Sequence, residues 1–146
     1  MSNQVKVYNA DEVTVVLGPA LIDSGLADGE FVRVEQESDD TVDVVGVDGE
    51  VSVSRTNDKR TDITIIVMST STGNDQLSIL SNLLRTAPGM VGGIVPLKIK
   101  DRNGRALYTA ENAWIKKPPD VAFDRQATPR EWTIRAAHLI RFDGGN

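Results

Sequence analysis

Cysteine is absent from the 146 residues, which excludes disulfides and any thiolate metal site and suits folding in a reducing compartment. Histidine occurs once, at His138. No Gly-x-Ser-x-Gly elbow accompanies it, so a Ser-His-Asp relay has no frame to sit in, and His138 reads as a packed or surface residue. The opening MSNQVKVYNADEV has no apolar run of signal-peptide length, and no later run approaches a membrane span. The expectation is a chain that starts soluble, stays soluble and does not insert into membranes. Positive charge is also short: 16 Lys and Arg face 21 Asp and Glu, leaving a formal charge of -5 and a pI near 4.8. A surface that grips nucleic acid draws its affinity from cations, so any DNA nearby should slide past. Gly89 to Gly93 lacks the Gly-Lys-Ser/Thr ending of a phosphate loop and reads as a linker.

What is present reads mostly as strands in one domain spanning residues 1–146, a length that buries about 70% of its unfolded surface. Residues 5–17 form a strand turned near Asn9-Ala10-Asp11 and ended by Gly18-Pro19, with a loop over 20–29. Phe31 to Ser38 alternates, Val32 and Val34 facing one way and Arg33, Glu35 and Glu37 the other. After the Ser38-Asp39-Asp40 turn, Thr41 to Val47 returns as its partner, giving a hairpin with an acidic face. Between about 46 and 61 apolar content falls and glycine and charge rise, the composition of a polar arm or long loop. Ile94 to Lys100 and Ala106 to Lys116 flank Asn103-Gly104, a strong hairpin signal. Pro118-Pro119 stops pairing, and Arg130 to Phe142 reads as one closing strand with Trp132, Ile134, Ala136, His138 and Ile140 on one side.

The stretch from Gly46 to Thr86 organises the rest. Within it Asp62 to Ser69 is a strand, with Ile63, Ile65 and Val67 on one face, and it should be central. A helix follows over about 74–86, capped by Thr72 or Asn74, with Asp75 where the helix dipole favours negative charge. Leu77, Leu80, Leu83 and Leu84 form its apolar stripe. The order GVDGEVSVSRTNDKRTDITI, then STSTGNDQLSILSNLL, resembles the tail tube proteins of contractile-tailed bacteriophages and related tail-like bacteriocins, in which strand, polar loop and strand lead into a single helix. VYNADEVTVVLGP and WIKKPPDVAFDRQATPREWTI extend the likeness to both ends.

The resemblance implies a mainly β fold, an antiparallel sandwich or small barrel with one flanking helix, and a structural rather than enzymatic role. It further implies hexameric rings stacked into a tube inside a contractile sheath, assembled in the host cytoplasm and carried in the virion tail. The implied partners are the chain itself, sheath protein, baseplate or tail-initiator proteins and tape-measure protein, with viral DNA passing non-specifically. Glu35, Glu37 and Asp43 are the expected lumen-facing acids, whose like charge would keep phosphates from sticking. Glu50, Arg55, Asp58, Lys59 and Arg60 are the expected inter-subunit arm. Trp114 and Trp132 lie in alternating strands and read as core or interface, not as base-stacking platforms. The acidic residues Glu35 to Asp43 do not follow a calcium-loop spacing, so no metal or other cofactor is expected. Two alternatives remain: a bacteriocin or type VI secretion tube, and a metal- or ligand-binding β domain built on that acidic turn.

Overall fold

A computed structural model describes residues 13–22, 31–86, 93–101, 106–123, 125–126 and 128–143. Ten strands and one helix are found among them: β1 Val13–Leu17, β2 Ala20–Ile22, β3 Val32–Gln36, β4 Thr41–Val45, β5 Val51–Arg55, β6 Thr61–Met68, α1 Thr72–Thr86, β7 Val95–Asp101, β8 Ala106–Lys117, β9 Pro129–Ala136 and β10 Ile140–Asp143. Every strand pairing is antiparallel. The main sheet runs β2-β1-β7-β8-β9-β6-β3, with β10 beside β8, while β4 and β5 form a separate two-stranded sheet. The chain is thus mainly antiparallel β with a single helix, as expected.

Strict alternation produces the core. Val13, Val15 and Leu17 on β1, Val95, Leu97 and Ile99 on β7, Ile63, Ile65 and Val67 on β6 and Trp132, Ile134 and Ala136 on β9 are buried in one continuous cluster. Strands from both ends of the sheet meet in that cluster, so the sheet curls around its own inner face. β6 is paired on both sides, with β3 and with β9, which places it inside the sheet as its periodicity predicts.

Several expectations are corrected. Ala20–Ile22, expected in a loop, is a strand that folds back on β1 across the Gly18-Pro19 turn. Thr41–Val45 does not pair with Val32–Gln36: β3 pairs with β6 and β4 with β5. Val32 and Val34 lie opposite Ile65 and Ile63, so this pairing covers core-facing apolar surface that a β3–β4 hairpin would leave open. The closing strand is two strands. Ala136 is buried, His138 is exposed and Leu139 is buried, so the residues between β9 and β10 reset the alternation and leave Ile140 outside. This break lets β8 pair with β10 at its start and β9 at its end. The Asn103-Gly104 turn and the 20–29 loop beyond Ile22 lie outside the described residues, although β7 and β8 do pair across the former.

The helix starts earlier than expected. Ser71 Oγ accepts from the Asn74 amide at 3.1 Å, so Ser71 caps it rather than Thr72 or Asn74. Asn74 instead joins helix to sheet, its Oδ1 accepting from Trp132 Nε1 at 3.1 Å and its Nδ2 donating to the Ser69 carbonyl at 3.4 Å. Gly73 lies against Ile22, where an added Cβ would come within 3.0 Å of Ile22 Cγ2. Leu77 and Leu80 are buried, but Leu83 is 43% exposed. One residue is about 100° of helix rotation, which carries Leu83 off the line held by Leu77, Leu80 and Leu84.

Candidate assembly interface

The sheet of β4 and β5 extends the β3–β6 pair. Glu37 N donates to the Arg60 carbonyl at 3.0 Å and Thr56 N to the Asp40 carbonyl at 2.8 Å, so pairing continues past the end of β3. At the tip, Gly46 N donates to the Glu50 carbonyl at 2.7 Å and Gly49 takes φ +87, a conformation that favours glycine. The ten steps from residue 37 to residue 47, at about 3.3 Å each, let the tip reach at most roughly 30 Å from the body.

Every residue of β4 and β5 is exposed. Val42, Val44, Val45, Val47, Val51 and Val53 therefore all stand in solvent, Val45 at 68% and Val53 at 62%. A lone two-stranded hairpin is marginally stable, and here Val45, Val51 and Val53 share one face while Val42 and Val44 share the other, exposed apolar surface of the kind that marks an interaction site. The role of these valines was not seen in the sequence because Thr41 to Val47 was expected to be covered as the partner of β3, and the 46–61 arm was judged by its glycine and charge. Their signal is alternation on two strands that lack a third to cover them.

The root of the hairpin is a charged clasp. Arg60 donates from Nε and Nη2 to the two carboxylate oxygens of Asp58, each at 2.8 Å, and Ser38 Oγ donates to Asp58 Oδ2 at 2.8 Å. The Arg60 hydrogen bond, with Ser38 second, holds the Asp58 carboxyl far below the usual carboxylate range. Arg60 is raised in turn, chiefly by its hydrogen bond to Asp58. Lys59 reaches Asp40 at 3.8 Å. Of the five residues expected in the inter-subunit arm, Glu50 sits at the tip and Arg55 ends β5 opposite Thr41. Asp58, Lys59 and Arg60 sit together at the root.

Of the expected lumen acids, Glu35 and Glu37 share a face and Asp43 stands apart. Glu35 lies on β3 and Glu37 just after it, on the face away from the core, while Asp43 is on the hairpin. That outer face of β3, β6, β9 and the end of β8 is ion-paired rather than acidic. Arg135 Nε donates to Asp62 Oδ1 at 2.7 Å, Arg135 Nη2 meets Glu37 Oε2 at 3.3 Å, and Lys116 Nζ meets Asp62 Oδ2 at 3.2 Å. Arg33 lies 3.4 Å from Glu35 and 3.7 Å from Glu131. The Arg135 hydrogen bond first, and Lys116 after it, lowers the Asp62 carboxyl. Among the described residues no three His, Asp or Glu side chains converge as metal ligands would, and no helix is long and apolar enough to cross a membrane.

Comparison with known proteins matches this architecture. Residues 11–142 match the family described as Bacteriophage PhiTE tail tube protein. The chain is 28% identical over 151 aligned positions to Structural protein ORF10 of Pseudomonas phage KPP10, covering 100% of this chain and 87% of that one. Its fold resembles a chain in the virion of a native gene transfer agent, with TM-score 0.62, 12% identity and coverage of 93% and 99%. It also resembles a chain of the sheath/tube terminator of the PVC extracellular contractile injection system, with TM-score 0.61, 15% identity and coverage of 97% and 98%. A chain of the anti-feeding prophage tube-terminating cap gives TM-score 0.60 at 12% identity over 97% and 94%. At these identities the structural likenesses speak for the fold alone, while the family match spans nearly the whole sequence: the chain belongs to the bacteriophage PhiTE tail tube protein family.

Proposed function

We propose that this chain polymerises as stacked hexameric rings into the inner tube of a contractile phage tail and there forms the conduit for DNA ejection. The observation that carries the reading is the wholly exposed hairpin with its six valines, which has no role in the isolated chain and a clear one against a neighbour. A second feature supports it. β3 ends the main sheet, with one edge unpaired among the described residues, and such edges favour strand addition from another copy. The chain acts mechanically as one tube domain. Its partners are further copies, sheath protein, baseplate or tail-initiator proteins and tape-measure protein, met during assembly in the host cytoplasm.

Glu35 and Glu37 face the lumen in this reading, with Arg33, Lys116 and Arg135 interleaved, so the lining is near neutral rather than repulsive. Asp43, Glu50 and Arg55 act in the hairpin contact, while Asp58, Lys59 and Arg60 hold its root. A tube of a tail-like bacteriocin or secretion system is the second reading, favoured by the fold likeness to contractile injection system components. Genes beside this one separate the two.

Negative-stain electron microscopy with light scattering over a concentration series tests the proposal. Wild-type protein should give rings or hollow tubes of uniform width. Val44→Asp with Val53→Asp should give folded monomers, since both side chains are already solvated in the isolated chain. Tubes from that double variant would overturn the role of the hairpin.

A further inference from the structure

A second apolar surface lies on the opposite side of the molecule. On the outer face of β7, β8 and β10, Lys100 lies opposite Leu107 and Leu107 opposite Phe142, while Lys98 and Ile140 both lie opposite Thr109. Facing pairs share one side of a sheet, so these residues form a single surface. Ile140 is 63% and Phe142 58% exposed, and Leu107 adds to them. Lys98 and Lys100 are exposed beside this patch and make no ion pair among the described residues.

The hairpin has the complementary character. From 39 to 55 it carries five carboxylates, Asp39, Asp40, Asp43, Asp48 and Glu50, against one cation, Arg55. Its register places Asp43 opposite Val53 and Val45 opposite Val51, so one face presents three valines beside a carboxylate. The hairpin continues β3 and β6, and the patch is on the far side of the curled sheet. In the structure the hairpin strands pack mainly on each other and not on β7, β8 or β10.

We propose that the hairpin of one copy lies across the β7–β8–β10 face of a second copy. Val45, Val51 and Val53 cover Leu107, Ile140 and Phe142, and the hairpin carboxylates, Asp43 foremost, face Lys98 and Lys100. The inference rests on the tube reading and names the surface that receives the hairpin. Donor and receiver are different strands, so the contact is head-to-tail and repeats from copy to copy, as a ring or stack requires. Opposite charge sets the register of an otherwise non-directional apolar contact.

The absence of cysteine permits a direct test by cross-linking. Val53→Cys and Phe142→Cys are made as separate variants, mixed under polymerising conditions and oxidised. A disulfide-linked pair should form in the mixture and be at least about tenfold scarcer with either variant alone. In parallel, Lys98→Glu with Lys100→Glu should raise the concentration needed for polymerisation about tenfold or more, and adding Asp43→Lys with Glu50→Lys should lower it again. Circular dichroism checks that each variant is folded. Normal polymerisation of the Lys98, Lys100 variant together with no mixed cross-link would overturn this inference and leave the tube reading standing. Wild-type protein that stays monomeric at every concentration would overturn both.

Discussion

Trp132 on β9 donates its indole N–H to the side-chain oxygen of Asn74 in the first turn of α1, at 3.1 Å. Trp132 is 3% exposed, so this N–H has little access to water if its partner is removed. One side-chain amide thereby fixes where the helix begins relative to the sheet. Asn74→Ala should cost about 1–2 kcal/mol, the penalty of an unsatisfied buried donor plus a lost local contact. Chemical denaturation should show a lower midpoint with an unchanged slope. An unchanged midpoint would mean that water replaces Asn74.

The helix offers a paired comparison. Leu77 is fully buried and Ile79 is 66% exposed. Leu77→Ala should destabilise by about 2–5 kcal/mol through lost burial and a cavity, and Ile79→Ala by about 0.5 kcal/mol or less. Equal losses by thermal unfolding would contradict the face assigned to the core.

Acid should act through paired carboxylates. Asp62 is held below its ordinary value by Arg135 and then Lys116, and Asp143 by Tyr108 and then Arg141. A depressed folded-state value means the carboxylate contributes stability that is present above the ordinary carboxylate range and lost as pH falls through the folded-state value. Stability should hold from neutral pH to about 5 and decline below it. Asp62→Asn should be less stable at pH 7 and show a shallower acid decline. A decline as steep as that of the wild type, followed by denaturation at successive pH values, would remove Asp62 from the account.

The hairpin root should separate from the hairpin contact. Lys59 is 3.8 Å from Asp40 with both side chains substantially exposed. Lys59→Glu should therefore change unfolding stability by about 0.5 kcal/mol or less. Arg60→Glu is different, since it sets a carboxylate against Asp58 and removes both Arg60 side-chain hydrogen bonds of the clasp. Amide hydrogen exchange should then rise across residues 37–40 and 56–60 while β6 and β9 stay protected. Unchanged exchange at the root would show that the backbone pairing holds the hairpin without the clasp.

Much of this molecule was legible as local pattern. Alternation placed Val32 and Val34, Ile63, Ile65 and Val67, and Trp132 and Ile134 on buried faces, because a strand turns successive side chains to opposite sides whatever its neighbours are. The three- and four-residue spacing of Leu77, Leu80 and Leu84 marked the helix on the same grounds. Tertiary structure alone decided the partners. The period of a strand gives its two faces but not the strand beside it, so nothing local told that β3 takes β6, where Val32 and Val34 lie opposite Ile65 and Ile63, rather than the equally valine-rich Thr41–Val45. That choice left the β4–β5 hairpin uncovered and turned six unremarkable valines into the candidate interface. It also separated Asp43 from Glu35 and Glu37, and set Arg135 beside Asp62 from 73 residues away, because side-chain charges pair by distance in the folded sheet and not by order along the chain.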